Sequence, residues 1–248
     1  MTPSAVAART LVVAGILGTV GVQADAEIIY HNEFESSASI GSEWNLHNRT
    51  TGALTGFLGR FDNQRAVVLT LGVPTVPPID PPVDPPIAPI DDLPMIGDDG
   101  AVARTDGHVW VYSLMFDLYL IDSWDGADPQ FGTDSLFTKI NGVKLFDELF
   151  DNHHVEDNFR APDDGPRNIG WGDWDDCVYR QIRVDFLVSS SVSALEFRWR
   201  STADQGIEDE SWGLDNVTFM RTLVSVPAPA SVAPFGALAF VARRRRRV

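Results

Sequence analysis

Four aspartates that follow one apolar run are the residues of this sequence best suited to chemistry. The segment FDLYLIDSWDGADPQFGTD at residues 116–134 places them at Asp122, Asp125, Asp128 and Asp134. Calcium prefers carboxylate and other oxygen ligands and takes about six to eight of them. The spacing differs from that of an EF-hand loop, and aspartate is also a common solvated turn residue. Two interpretations stay open: a calcium site formed by Asp122, Asp125 and Asp134, or a series of turns.

Tryptophans beside Asp- and Gly-rich loops form a second kind of candidate site. Sugar rings stack on exposed indoles, while carboxylates and amides bind their hydroxyl groups. Trp124 lies in the aspartate-rich segment, and Trp171 and Trp174 lie in the segment GWGDWDD. We predict these three as ligand-binding residues, with burial in the core as the alternative for Trp171 and Trp174. Trp199 and Trp212 are predicted to belong to the core.

Support for catalysis is weak in this sequence. It contains no Gly-x-Ser-x-Gly elbow, no His-Glu-x-x-His pair and no phosphate-binding loop. His153 and His154 could contribute to a zinc site, but no third ligand has a suitable spacing, so a solvated loop pair is favoured. A glycosidase needs a carboxylate pair, for which the candidates are Glu33, Glu35, Glu208 and Glu210. We predict a binding or structural protein without enzymatic activity, with a glycan-active hydrolase as the alternative.

The elements that must position these residues are β-strands. The apolar residues alternate or run in short blocks between Gly, Pro, Asn and Asp clusters, which is typical of strands. Asn141-Gly142 between two apolar runs predicts a two-residue hairpin. The pattern predicts an all-β, antiparallel two-sheet sandwich of the jelly-roll type. The predicted strands lie near residues 27–31, 56–62, 65–72, 107–121, 135–140, 143–150, 179–189, 193–201 and 212–221.

A proline-rich segment interrupts this pattern. Residues 74–94 repeat Pro-Pro-Ile-Asp, Pro-Pro-Val-Asp and Pro-Pro-Ile-Ala, and proline removes ladder donors and favours polyproline II. The piece before it has too few strands to fold alone. We therefore predict a stiff loop inserted within one domain, which covers residues 27–221.

The two ends of the predicted sandwich carry further acidic residues. Glu33 and Glu35 follow the first strand, and Asp215 lies in the last one. The first and last strands of a jelly roll are commonly neighbours, so Glu33 or Glu35 could approach Asp215. Buried carboxylates side by side are unfavourable unless a proton or a cation bridges them.

Parts of the predicted sandwich resemble known families. Phe34-Glu35 near its start, and Trp-Gly-Leu-Asp-Asn-Val at residues 212–217, resemble concanavalin-like and MAM-type sandwiches and jelly-roll carbohydrate-binding modules. The segments FLGRF and IDSWDG look like a recurrent domain of exported bacterial surface proteins. The resemblance covers most of the predicted domain. It implies a structural calcium between Glu35 and Asp215, and extracellular polysaccharide as a partner.

The composition restricts the kind of partner. The chain of 248 residues has 35 acidic and 19 basic side chains, which gives a formal net charge of −16. A surface for nucleic acid needs clustered Lys and Arg, so this acidic balance argues against such a partner. Cys177 is the single cysteine, which excludes an internal disulfide. Stability must then come from the apolar core, with bound metal as a further source.

The first 26 residues have the pattern of a secretory signal peptide. Arg9 precedes an uncharged apolar run at residues 11–22, and Ala24-Asp25-Ala26 provides the small-x-small pattern that signal peptidase accepts. The run is shorter than the roughly 20 residues of a membrane span. We predict a helical signal over residues 1–26 that is cleaved before Glu27, with a buried N-terminal helix as the alternative.

Residues 222–248 have the order of a sorting tail. A Val-Pro-Ala-Pro box, an apolar run predicted as a short helix at residues 230–242, and five arginines follow one another. Arginines directly after an apolar segment indicate a stop-transfer anchor. The apolar run at residues 230–242 is short for a permanent membrane span. A basic tail that binds nucleic acid or anionic lipid is the alternative. The arrangement resembles the PEP-CTERM sorting tail. That resemblance implies cleavage by an envelope processing enzyme and delivery to the cell surface or extracellular matrix after transient membrane anchoring. The sorting-signal residues are then Val226, Pro227, Ala228, Pro229, Arg243, Arg244, Arg245, Arg246 and Arg247.

Overall fold

Strands account for all the long regular elements of the described chain. The computed structural model describes residues 26–52, 55–62, 65–74, 92–97, 104–105, 108–128 and 130–225. In chain order the strands of this part are β1 (Ala26–Asn32), β2 (Arg49–Thr50), β3 (Phe57–Phe61), β4 (Val67–Gly72), β5 (Met95–Ile96), β6 (Arg104–Thr105), β7 (His108–Asp122), β8 (Ser135–Ile140), β9 (Val143–Leu149), β10 (Asp164–Arg167), β11 (Asp176–Val188), β12 (Ala194–Ser201) and β13 (Glu210–Ser225).

The strands form two sheets, and the pairings are antiparallel except for the short β5, which runs parallel to β11. The larger sheet has the order β10-β11-β7-β13-β3-β2, with β1 beside β13, β5 beside β11 and β6 beside β7. The smaller sheet has the order β4-β12-β8-β9. The fold is therefore all-β and consistent with a sandwich, as the sequence predicts. The first and last strands are neighbours, because β1 pairs with β13 from Ala26↔Thr222 to Asn32↔Val217.

The main core lies between the two sheets. Phe116 of β7 and Trp199 of β12 meet edge to face with ring centroids 5.8 Å apart, and Phe197 of β12 lies 5.0 Å from Phe219 of β13. Trp199 and Trp212 are fully buried, which confirms the prediction that both belong to the core. Rings from both sheets thus interlock and fix how one sheet lies on the other.

The central strand β7 is buried on both faces. Leu118 and Leu120 belong to the main core, whereas Tyr119 and Ile121 pack into a second apolar cluster on the opposite face. That second cluster also contains Trp171. Burial on both faces explains why the sequence of β7 is an almost continuous run of apolar residues. It also places the aspartate-rich loop that follows β7 at one end of a rigid strand.

The predicted hairpin is present between β8 and β9. Ile140 pairs with Val143, and the two residues between them have positive φ, 47° at Asn141 and 85° at Gly142. Positive φ at both positions is the geometry of a type I′ turn, which matches the right-handed twist of the paired strands.

Replacing Gly142 by alanine should lower the free energy of unfolding by about 1 kcal/mol, because an L-residue is strained at this positive φ. A Cβ added there meets no heavy atom within 4 Å, so a clash cannot contribute. Gly72→Ala is the matched control, since its Cβ also meets nothing within 4 Å and its φ is outside the positive range. Urea unfolding should separate the two variants, and equal stabilities would contradict the assigned turn.

All nine strands predicted from the sequence are present, with ends that differ by a few residues. The sequence misses β2, β5, β6 and β10, which have only two to four residues each. Such short runs carry too few residues for a periodic pattern.

Several predictions concern residues outside the described part. The signal peptide lies outside it up to residue 25, and so do residues 75–91 of the proline-rich loop. The sorting-signal residues from Val226 to Pro229 and from Arg243 to Arg247 also lie outside it. A helix with the length and apolarity of a membrane span is absent from the described residues.

Candidate functional site

Three carboxylates meet at the end of β7, and we call them the carboxylate trio: Asp125, Asp134 and Glu210. One oxygen atom of each lies within 4.8 Å of those of the other two. Asp125 lies in the loop after β7, Asp134 directly precedes β8, and Glu210 is the first residue of β13. Because Glu210 pairs with Asp122 in the β7–β13 ladder, the start of β13 lies beside that loop.

The loop between β7 and β8 closes on itself and brings two members of the trio together. The backbone N–H of Asp125 donates to Asp134 Oδ2 at 2.7 Å. The N–H of Asp134 donates to the carbonyl oxygen of Gly126 at 2.7 Å. Gly126 has a φ of 63°, which lets the backbone turn at that point. Two of the aspartates predicted as metal ligands are therefore adjacent for a local reason.

Asp134 and Glu210 are fully buried, yet each has a carboxylate oxygen without a hydrogen-bond partner. Asp134 Oδ2 accepts the Asp125 N–H, and Glu210 Oε2 accepts the Gln205 N–H at 2.9 Å. Asp134 Oδ1 and Glu210 Oε1 remain unpartnered. Buried polar atoms in native proteins are nearly always satisfied, so this pair of atoms requires an explanation.

Burial shifts the protonation of the trio. Burial, opposed by a backbone hydrogen bond and reinforced by neighbouring carboxylates, raises the pKa of Glu210 to about 7 and that of Asp134 to about 6. Burial also raises the pKa of Asp125. Each ionised form is unfavourable in this position without a compensating cation. Oxygen is the only ligand atom in the trio, so these residues could hold a hard divalent metal ion.

An open cleft of about 390 Å³ lies beside the trio and shares Asp125 with it. Two of its lining residues are exposed aromatic side chains, Trp174 at 54% and Phe131 at 49%. The Trp174 ring stands nearly perpendicular to that of His153, with centroids 5.7 Å apart. Its backbone N–H donates to Asp122 Oδ1 at 3.2 Å. The full lining is Ser123, Asp125, Phe131, His153, Trp174, Gln205 and Asp209.

The three tryptophans predicted as ligand-binding residues have different environments. Trp124 is fully buried, and its Nε1–H donates to the carbonyl oxygen of Ser211 at 3.0 Å. Trp171 is 8% exposed and packs edge-on against Phe57 at 5.3 Å. Neither ring presents a face to a ligand, because both complete apolar clusters. Trp174 is therefore the one of the three that offers a stacking surface.

Asp122 lies apart from the trio, although the sequence groups it with Asp125 and Asp134. Its backbone N–H donates to Asp176 Oδ1 at 2.9 Å, and its Oδ2 is 3.8 Å from Arg60 Nη2. Burial raises its pKa to about 6. Asp122 faces the segment before β11 rather than the loop, so it anchors Trp174 and lies outside the trio.

Asp128 supports the turn interpretation of this loop. It is exposed, and its Oδ1 accepts the backbone N–H of Gln130 at 2.7 Å. This is the bond of an Asx-type turn. The loop thus combines buried carboxylates with one solvated turn aspartate.

Glu35 and Asp215 do not share an environment, although Glu35 follows β1 and Asp215 lies in β13, which are neighbouring strands. Glu35 is exposed, whereas Asp215 is buried. Asp215 Oδ2 accepts hydrogen bonds from Thr55 Oγ1 at 3.0 Å and Tyr119 OH at 3.2 Å. Its acidic neighbour is Asp117, directly opposite in the β7–β13 ladder. Thr55 and Tyr119 thus supply hydrogen-bond donors to the Asp215 carboxylate, and Glu35 is not among its contacts.

The candidate catalytic residues do not converge. Glu33, Glu35 and Glu208 are exposed, whereas Glu210 is buried in the trio. The two histidines are also divided: His154 Nδ1 lies 3.2 Å from Asp151 Oδ2 at the surface, and the other histidine lines the cleft.

The sequence analysis does not single out Ser123, Phe131, Gln205 and Asp209 as neighbours in one cleft, or Glu210 as a neighbour of Asp125 and Asp134. Ser123 and Phe131 have a local signal, because they lie in the same aspartate-rich loop as Asp125. Glu210, Gln205 and Asp209 have no local signal in the sequence, because their positions depend on how β13 pairs with β7.

The comparisons with known proteins identify no family. No protein-family model matches the chain, and no curated protein matches it. Among solved structures, the chain is similar to the crystal structure of dimeric latent PorU from Porphyromonas gingivalis, with 10% sequence identity and a TM-score of 0.40. That alignment covers 85% of this chain but 14% of the other. The chain thus spans a small part of that neighbour's length, and this similarity supports no conclusion about function.

Proposed function

We propose that the protein is an exported, non-enzymatic binding module of the cell surface or extracellular matrix, with a jelly-roll sandwich that calcium stabilises and a cleft that binds neutral saccharides. The observation that carries the proposal is the pair of exposed aromatic rings, Trp174 and Phe131, in one cleft with polar groups. Apolar side chains exposed together in one concavity are typical of ligand-binding sites, whereas single exposed apolar residues are common anywhere on a surface.

The cleft has the chemistry that a sugar ring requires. The C–H face of a pyranose stacks on an indole or phenyl ring. Its hydroxyl groups can donate to the Asp209 carboxylate and exchange hydrogen bonds with the Gln205 amide. The Asp209 Oδ1 atom is held in place by Ser123 Oγ at 2.8 Å. Apolar faces and a few fixed polar groups in one concavity are the usual composition of a ligand site.

Charge selects among saccharides. Two of the cleft residues are the carboxylates Asp125 and Asp209, and the whole chain carries a net charge of −16. Like charges repel, so sulfated sugars and uronic acids are disfavoured. Neutral hexoses remain the best match to aromatic rings flanked by hydrogen-bond acceptors.

The predicted signal peptide and sorting tail support delivery of this module to the outside of the cell. A cleaved signal would start export, and the tail would anchor the chain transiently until an envelope processing enzyme acts on the Pro-x-Pro box. The strongly acidic composition also favours solubility outside the cell. Extracellular polysaccharide is then the partner that the cleft would encounter.

Replacing Trp174 by alanine should weaken the binding of neutral oligosaccharides by about tenfold, because one stacking face is worth about 1 kcal/mol or more. Phe131→Ala should have a similar effect. The measurement is binding of the purified protein to immobilised neutral, anionic and amino-sugar oligosaccharides. Val143→Ala is the control, since Val143 is 40% exposed but lies at the β8–β9 turn.

The proposal would be overturned if the wild-type protein does not bind neutral saccharides. It would also be overturned if the Trp174→Ala and Phe131→Ala variants bind them as tightly as the wild type. Recognition restricted to amino-sugar polymers would also contradict it, because electrostatic attraction alone would then explain binding. The alternative, a glycan-active hydrolase, predicts turnover of the bound saccharide that Glu→Gln substitutions abolish. Release of reducing ends therefore has to be measured on the same samples.

A further inference from the structure

We infer that the carboxylate trio, Asp125, Asp134 and Glu210, binds one calcium ion that joins the β7–β8 loop to the start of β13. The assignment rests on the part of the proposed function in which calcium stabilises the sandwich, and it does not require saccharide binding. It differs from the site that the sequence resemblance implies, because neither Glu35 nor Asp215 takes part.

The first observation is the separation of the carboxylate oxygens. One oxygen of each residue lies within 4.8 Å of the other two. Calcium binds oxygens at about 2.3–2.6 Å, so two oxygens on one ion can be up to about 5.2 Å apart. Three carboxylates at this separation repel one another unless a positive charge lies between them. Among the described residues, the ion pairs of the trio include only His153, whose Nε2 is 3.9 Å from Asp125 Oδ1.

The second observation is independent of that cluster. Asp134 Oδ1 and Glu210 Oε1 are buried and have no hydrogen-bond partner, although both residues are 0% exposed. In each residue the second oxygen already accepts a backbone N–H, so the carboxylate orientation is fixed. An unpartnered buried carboxylate oxygen is strongly unfavourable, and a coordinated cation compensates it.

The ligand set favours calcium over other divalent ions. Zinc prefers nitrogen and sulfur ligands in a tetrahedral arrangement, whereas the trio offers oxygen alone. Magnesium requires a near-ideal octahedron and retains most of its water. Calcium accepts irregular sites and completes its shell with water. Asp125 lines both the aromatic cleft and a neighbouring cleft of about 410 Å³, so water and ions can reach the site from solvent.

The site has a consequence for the aromatic cleft. The β7–β8 loop carries Phe131 as well as two ligands of the trio, and Asp125 belongs to both the trio and the cleft wall. A calcium ion would tie this loop to the first residue of β13. Calcium would thereby fix the position of one aromatic wall.

Calcium titration of EDTA-treated, desalted protein tests the assignment. A hundredfold excess of calcium over its dissociation constant should raise the melting temperature by about 5–10 °C. Isothermal titration should show about one calcium per chain. Equal concentrations of MgCl2 or ZnCl2 should give smaller shifts, because neither ion suits this ligand set.

Glu210→Gln should abolish the calcium-induced shift while leaving the metal-free protein folded, because it removes a buried charge without changing side-chain volume. Glu208→Gln is the matched control. It lies two residues earlier, its side chain is 88% exposed, and it should keep the full calcium response. Loss of the response in both variants, or in neither, would overturn the assignment.

The outcomes separate this inference from the proposed function. Wild-type protein that binds neutral saccharide but shows no calcium-induced shift would refute the metal site and leave the binding module intact. A calcium response that Glu210→Gln removes, in protein that binds no saccharide, would support the metal site and refute the cleft. A larger shift with magnesium or zinc than with calcium would refute the identity of the ion.

Discussion

In EDTA, the free energy of unfolding is expected to rise by about 3–6 kcal/mol as the pH falls from 8 to 5. Four buried carboxyl groups cause this rise. Burial raises the pKa of Glu210 to about 7, and it raises the pKa values of Asp122, Asp134 and Asp215 to about 6. The same groups titrate near pH 4 in an unfolded chain.

The direction of this change in the free energy of unfolding follows from how tightly each state binds protons. The folded protein holds these protons more tightly than the unfolded chain, so protonation stabilises the fold. That contribution is complete below the unfolded pKa near 4, and it is lost as the pH rises through 6 and 7. Backbone and Arg contacts outweigh burial at Asp163 and Asp164 and lower the pKa values of both carboxyl groups. Their protonation at lower pH destabilises the folded protein and opposes the rise in stability. Measurements should therefore stay above pH 5.

Saturating calcium should flatten part of this dependence. A bound calcium ion would keep Asp134 and Glu210 ionised in the folded state, so of these four groups only Asp122 and Asp215 would still contribute. The double variant Asp134→Asn, Glu210→Gln should show the same reduced slope in EDTA. Urea unfolding at four pH values, followed by tryptophan fluorescence, gives each free energy. A stability that is flat or falls from pH 8 to 5 in EDTA would contradict the assigned burial.

Replacing Trp199 by alanine is expected to lower the free energy of unfolding by about 4 kcal/mol. The Trp199 ring is fully buried. It stacks on Trp44 with centroids 5.8 Å apart and meets Phe116 edge-on at 5.8 Å. Because Trp199 belongs to the smaller sheet and Phe116 to the larger one, the substitution opens a cavity between the sheets.

The expected fall in melting temperature is about 8–15 °C for a domain of this size. Trp174→Ala provides the matched control, because it removes the same side chain from a position that is 54% exposed. Its melting temperature should change by less than about 2 °C. Thermal unfolding by circular dichroism compares the two, and similar losses in both variants would show that Trp199 does not bridge the sheets.

The local sequence was sufficient to predict the strands and the proximity of two residues of the site. Alternating apolar residues and turn residues act over a few positions, so nine strands and the Asn141-Gly142 turn could be predicted. Asp125 and Asp134 were also grouped correctly, because one short loop carries both. The core positions of Trp199 and Trp212 followed from their place in strands.

The rest of the site depends on contacts between distant residues. Glu210 joins Asp125 and Asp134 because the register of β13 on β7 sets it opposite Asp122. A shift of that register by one residue would turn Glu210 to the other face, and nothing near Glu210 in the sequence specifies the register. The third ligand predicted for the loop, Asp122, lies apart from the trio because it contacts Asp176 at the start of β11 and Trp174 just before it.

The sequence by itself determined that this chain forms strands, that it is strongly acidic, and that carboxylates and tryptophans share its loops. Only the tertiary structure decided which of those side chains are exposed. Trp171 and Trp174 are three residues apart, yet one closes an apolar cluster on β7 and the other faces solvent. The physical reason is that burial depends on what the rest of the fold packs against a residue, whereas the alternation of apolar and polar residues that predicts a strand extends over only a few positions.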